Sequence, residues 1–173
     1  MMKNFLFGLI GLSLVAGCAA LEPGQRASAD LKDKDGKTVA TAMLSERQGG
    51  VHVHLEAKGL TPGSHAVHVH AVGKCEGPAF TSAGGHFNPG SKKHGLKSPD
   101  GPHAGDLPNM TVEKDGSGRF EATTDRFTLR AGPLSVFDAD GSALMIHAGT
   151  DDNVTDPTGN AGDRAACGLI VAR

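Results

Sequence analysis

The sequence predicts an all-β domain of about eight short strands, closed into a barrel or a sandwich and carrying one long metal-binding loop. Three observations lead there. Apolar runs are short, alternate with polar residues and are punctuated by Gly, Pro, Asn and Asp at turn positions. The 173 residues include 25 Gly and 9 Pro with no Trp or Tyr, a composition suited to many turns. Five of the nine histidines fall between His68 and Asp106, in a stretch rich in Gly, Pro, Ser and Lys.

The N-terminus reads as a leader. Met1-Met2-Lys3 gives a positive start, and Phe5 to Ala16 is apolar but too short to span a membrane as a helix. Val15-Ala16-Gly17-Cys18 resembles the bacterial lipobox, in which the cysteine is lipidated and becomes the mature N-terminus. The alternative is an ordinary signal peptide cut nearby, for instance after Ala20. The expected organisation is therefore a lipoprotein signal peptide over 1–17, a flexible tether over 18–29 and one domain over 30–173. That implies a periplasmic protein, anchored to the membrane through Cys18. With Cys18 taken as the anchor, Cys75 and Cys167 remain as an even pair in an oxidising compartment, where disulfides persist. The formal charge of -2 is close to neutral, so nothing points to nucleic acid.

The strands follow in order. Lys34-Asp35-Gly36-Lys37 carries a hairpin signal between a first strand near Ala29 and a second over Thr38 to Leu44. Gly49-Gly50 turns the chain into Val51 to Leu55, whose strict alternation places His52 and His54 on the solvated face of an edge strand. Leu60-Thr61-Pro62-Gly63 turns into His65 to His70. There His68 and His70 share one face, and His65 shares the opposite, core-directed face with Val67 and Val69. Residues 73–109 show no sustained period, and so long a loop needs a reason, which metal ligands supply. Strand signals resume at Met110 to Glu113, Arg119 to Thr124, Ser135 to Phe137 and Ala143 to His147. Asp151 to Gly162 reads as a second polar loop, and Ala165 to Ala172 as the last strand.

Imidazole is the commonest metal-binding side chain, and three imidazoles plus a carboxylate make a familiar zinc set. The residues then match a family. Leu60-Thr61-Pro62-Gly63 with the following His-x-His, Gly85-His86-Phe87-Asn88-Pro89, His103-Ala104-Gly105-Asp106-Leu107-Pro108-Asn109, Phe137-Asp138-Ala139-Asp140-Gly141, Ile146-His147 and Gly159-Asn160-Ala161-Gly162-Asp163-Arg164 up to Cys167-Gly168 resemble the copper-zinc superoxide dismutases in their bacterial exported form. The resemblance runs from about Asp30 to Arg173.

It implies an eight-stranded Greek-key β-barrel, an immunoglobulin-like sandwich architecture that this family is known for. It implies one copper ion per subunit, on His68, His70, His86 and His147. It implies one zinc ion per subunit, on His86, His94, His103 and Asp106, with His86 bridging the two. Asp151 matches the aspartate that links a copper-ligand histidine to a zinc-ligand histidine, and Cys75–Cys167 matches the family disulfide. Arg164 matches the arginine beside the copper, and with His86 it forms the implied catalytic pair: Arg164 docks superoxide, His86 supplies a proton. Lys74, Lys92 and Lys93 remain without an assigned part in steering the anion. Ala66 and Val67 depart from the family's usual glycine and aromatic, and the short loop after Asp151 excludes carrying over eukaryotic guiding charges. The implied activity is dismutation of superoxide to oxygen and hydrogen peroxide, protecting the cell envelope. The oligomer stays open, a homodimer included. A metal buffer or a single-metal enzyme is the competing class, and the complete ligand set with Arg164 argues against both.

Overall fold

The structure is a computed structural model and describes residues 25–173. The leader and Cys18 lie outside the described residues. Ten strands form one sheet: β1 (Arg26–Lys32), β2 (Thr38–Arg47), β3 (Gly50–Ala57), β4 (Gly63–His65), β5 (Val67–His70), β6 (Met110–Val112), β7 (Gly118–Thr124), β8 (Ala143–His147), β9 (Arg164–Leu169) and β10 (Val171–Ala172). One 3-10 turn, Thr81–Ala83, is the sole helical element among the described residues. The hydrogen-bonded order is β4-β6-β7-β3-β2-β1-β9-β8-β5, with β10 beside β1. Only Ala66 separates β4 from β5, so the two ends of that path are halves of one strand and the sheet closes. Only Ile170 separates β9 from β10. Eight continuous strands therefore build the barrel, the number that the family resemblance implies. The connections β3 to β4 and β7 to β8 each pass over other strands before pairing, which gives the Greek-key winding.

Alternation sets the interior. Ala27, Ala29 and Leu31 of β1, Leu44 of β2, Val51, Val53 and Leu55 of β3, and Val67 and Val69 of β5 join one buried cluster with Leu144 and Ile146 of β8. The opposite faces of β5 and β8 are buried too, because the long loop covers them; every residue of both strands is buried. That covered outer face is where the site forms.

Three expectations change. Residues 26–29 are the first half of β1 rather than tether: Ala27 pairs with Leu44 and is fully buried. His52 and His54 do not lie on an edge strand. β3 is paired on both sides, by β2 and β7, and His54 rests half-buried between Glu56 and Glu121. Ser135 to Phe137 form no strand; Val136 is buried, but its N–H reaches Thr128 in a single 3.1 Å bond within a loop. Short apolar triplets carry too little period to separate a strand from an inward-pointing loop.

Candidate metal centre

The two walls of the centre come from different distances along the chain. His68 and His70 project from β5, and His147 ends β8, which pairs with β5 so that Val67 faces Ile146. The long loop is laid across this wall by backbone pairing: His70 bridges His86, and His68 bridges Asp106. Gly105 permits the closest approach, since a Cβ there would stand 2.2 Å from the Val69 carbonyl oxygen. The Val69 N–H donates to Gly105 O at 2.9 Å. His94 and His103 then arrive from the loop's far side.

Two groups result, sharing His86. In the first, His68, His70, His86 and His147 offer ligand atoms within 4.8 Å of one another. Outer contacts fix which nitrogen each ring presents. His68 Nε2 donates to Asp151 Oδ2 at 2.8 Å, His70 Nδ1 to Gly84 O at 3.0 Å and His147 Nδ1 to Gly162 O at 3.3 Å. That leaves His68 Nδ1, His70 Nε2 and His147 Nε2 pointing inward with His86 Nε2. Buried His68 Nδ1 and His86 Nε2 have no hydrogen-bond partner, and His70 Nε2 and His147 Nε2 face each other at 3.4 Å. Unpaired buried polar atoms are costly, so four converging ring nitrogens fit a cation that suits imidazole, such as copper.

In the second group, Asp106 Oδ1 lies 2.9, 3.1 and 3.4 Å from Nδ1 of His86, His94 and His103, and the Nδ1 atoms of His103 and His86 are 3.3 Å apart. Four ligand atoms around a tetrahedral zinc, bonded at about 2.0–2.1 Å, stand about 3.3 Å from one another. The spacing fits zinc. Asp106 is aimed by its other oxygen, which accepts the N–H groups of Gly95 at 2.9 Å and His103 at 3.0 Å.

Asp151 ties the two groups together. Its carboxylate accepts from His68 Nε2 and, at 3.0 Å, from His94 Nε2. Asn109 holds its backbone through two reciprocal 2.9 Å bonds. Burial lowers the His68 pKa to about 4, against the raising effect of the Asp151 hydrogen bond. Burial also lowers His147 to about 3, with the charge of His68 adding to it. Both rings are thus neutral and available as ligands at ordinary pH. Burial disfavours charge on His94 as well, but its hydrogen bonds to Asp106 and Asp151 outweigh that and raise it to about 9. Burial also disfavours charge on Asp106 and Asp151, yet their hydrogen bonds to the histidines hold both far below the usual carboxylate range.

A cleft of about 370 Å³ opens onto this centre, lined by His70, His86, His147, Thr158, Gly162 and Arg164 among others. Arg164 is fixed by donating Nη1 to Phe80 O at 2.5 Å and Nη2 to Gly84 O at 2.6 Å. A larger cleft of about 490 Å³ lies on the other side of Arg164, against Asp33 to Asp35, and touches no metal ligand. Cys75 and Cys167 are joined as a disulfide, which pins the loop carrying Phe80 and Gly84 to β9.

The chain matches the copper/zinc superoxide dismutase family over residues 37–170. It belongs to that family. A copper-zinc superoxide dismutase of Aquifex aeolicus is 44% identical over 167 residues, covering 95% of this chain and 98% of the relative. One from Caulobacter vibrioides is 43% identical over 147 residues, covering 83% of this chain and 84% of the relative. Among solved structures, the copper/zinc superoxide dismutase of Brucella abortus superposes with a TM-score of 0.69 at 31% identity, covering 84% of this chain and 99% of that one. A superoxide dismutase-like protein of Bacillus subtilis gives 0.80 at 39%, covering 83% and 97%. Copper and zinc are the family's metals, and the two histidine groups fit them.

Every ligand named from the sequence is gathered here, with Asp151 hydrogen-bonded to His68 and His94 and with Arg164 lining the same cleft. His65 is buried and structural as its parity predicts: its two ring nitrogens face the carbonyls of His147 and Thr61, each at 2.7 Å. Sequence reasoning missed Asp156. Its carboxylate accepts the His94 N–H at 2.8 Å and Lys93 Nζ at 3.0 Å, and stands 3.8 Å from His103 Nε2. It also missed Arg126, and it placed Gly159 in a family block without showing that the residue lies against Asp151. No local pattern marks Asp156 or Arg126.

Proposed function

We propose that this chain dismutates superoxide at a copper site formed by His68, His70, His86 and His147, beside a structural zinc on His86, His94, His103 and Asp106. The observation that carries the reading is the convergence of four inward ring nitrogens, two of them buried and unpartnered, at the base of a cleft holding Arg164. When bound, copper supplies one-electron cycling, and zinc, closed by four protein ligands and without redox chemistry, supplies order. The chain's own groups do the rest. Arg164 keeps a permanent charge and a planar set of donors, so it docks a small anion at the cleft floor. Phe80 and Gly84 carbonyls hold that guanidinium at a fixed place. His86 Nε2, buried and without a hydrogen-bond partner, would hold a proton for peroxide only while its lone pair is not given to copper. Asp151 keeps the outer nitrogens of His68 and His94 protonated and their Nδ1 atoms free for metal.

The test is superoxide decay catalysed by the mature chain loaded with both metals, beside His147→Ala. Loss of catalysis with zinc retained supports the reading. Binding of both metals without faster decay refutes it and leaves a metal buffer.

The lipobox-like Val15 to Cys18 supports placing this activity in the periplasm, on a lipid anchor, where it guards the envelope. Cys18→Ser should move the protein from the membrane fraction to the soluble periplasmic one. The sequence leaves the oligomer open, a homodimer included, and sedimentation of the mature domain decides it.

A further inference from the structure

We infer that Arg126 is a positioning residue of the zinc centre, acting through the backbone of Asp106. The inference rests on the zinc set described above. Arg126 follows the end of β7, where its N–H donates to Thr124 Oγ1 at 3.2 Å. Its side chain runs back beneath the loop, and Nη2 donates to the carbonyl oxygen of Asp106 at 2.5 Å. The guanidinium is half-buried and forms no ion pair within 4.0 Å among the described residues. Its Nε is buried with no partner at all.

A charge placed there needs a reason, because half-burying a guanidinium without a carboxylate is unfavourable and an apolar side chain would fill the same space. The Asp106 carbonyl supplies one. Residue 105 is already clamped, with Val69 N–H donating to its carbonyl and its own N–H donating to Phe87 O at 2.8 Å. The Asp106 carboxylate is aimed by the N–H groups of Gly95 and His103. Arg126 sets the peptide that follows. Rotation of that peptide would swing the Asp106 Cα, and with it the oxygen that stands at about 3 Å from three imidazoles. A metal site tolerates only about 0.5 Å of such movement. Arg126 thus acts on the main chain of the one carboxylate ligand, from just beyond a strand that contributes no ligand itself.

The experiment uses the full mature protein with Arg126→Met, which keeps bulk and removes every donor, and Arg126→Lys, which keeps charge and one donor group. Zinc affinity is read by competition with a chromophoric chelator, and site geometry by the visible spectrum of cobalt(II) placed in the zinc site. Arg126→Met is expected to weaken zinc about 10- to 100-fold and to shift the cobalt bands, with Arg126→Lys recovering part of both. Zinc affinity within twofold of the parent overturns the inference. So does weaker zinc with an unaltered cobalt spectrum, which marks a structural role alone. If Arg126→Met does not fold, Arg126→Lys decides: parent-like affinity and spectrum overturn the inference, and an intermediate loss with shifted bands supports it. Failure of the parent itself to bind zinc at these four residues would instead refute the zinc set.

Discussion

Asp151→Asn removes the single carboxylate that serves both metals while leaving the loop in place, because the backbone of residue 151 is held by Asn109 at 2.9 Å on both sides. The carboxylate accepts from His68 Nε2 at 2.8 Å and from His94 Nε2 at 3.0 Å. An amide of the same shape offers one acceptor and one donor, so one ring meets N–H against N–H. That ring escapes by moving its proton to Nδ1, which is the atom facing the metal. The loss of negative charge also makes both rings poorer ligands. Such outer contacts are worth about 10- to 100-fold in metal affinity, or about 1.4–2.7 kcal/mol. Copper binds such sites more tightly than zinc, so zinc occupancy fails first. Chelator competition on the loaded protein should show zinc weakened by at least about tenfold, with copper still bound after dialysis. Zinc affinity within twofold of the parent would refute the reasoning, since Asp151 would then not be setting the tautomers.

Gly159→Ala should reproduce the zinc defect from outside the ligand set. A Cβ there would stand 1.9 Å from Asp151 Oδ1 and 2.6 Å from His94 Nε2, at a φ of +65°. Backbone strain adds about 1–2 kcal/mol of lost stability, read by chemical denaturation; parent-like stability and zinc content would count against it. Arg164→Ala should leave both metals bound, because no ligand contacts it through a hydrogen bond. Superoxide decay should slow by about tenfold or more and lose part of its ionic-strength dependence, a steering effect for which this family is a known example. An unchanged rate at low salt would remove Arg164 from the reaction. Replacing Cys75 and Cys167 together by serine frees a closure spanning 92 residues, worth up to about 4–5 kcal/mol in the chain-entropy limit. It should also loosen the Phe80 and Gly84 carbonyls that hold Arg164, lowering both the denaturation midpoint and the rate. A midpoint equal to the parent's would contradict this.

Local pattern carried the scaffold and most of the ligands. Alternation in His65 to His70 separated His65 from His68 and His70, because side chains of a strand alternate between two faces whatever it pairs with. Turn chemistry placed the breaks at Asp35-Gly36, Gly49-Gly50 and Pro62-Gly63, since those residues adopt the backbone conformations that turns require. Histidine density in an otherwise aperiodic loop exposed the metal chemistry. The same local reasoning misplaced β3 at an edge and made a strand of Ser135 to Phe137, because pairing partners and inward-pointing loops leave no period of their own.

What the sequence alone determined is the alphabet of the centre: which imidazoles and which carboxylates stand on strands or in the loop. Which nitrogen each ring presents follows from the folded contacts instead. His68 and Asp151 are 83 residues apart, and His94 and Asp151 are 57 apart. Arg126 meets Asp106 across 20 residues through a backbone oxygen. A carbonyl has no residue identity, so Gly84, Gly162, Phe80 and Asp106 as acceptors cannot be read from side-chain types. The same holds for Gly159, whose missing Cβ is informative only once Asp151 lies against it. Donor orientation is a property of barrel closure, which brings these distant segments into contact and fixes them there.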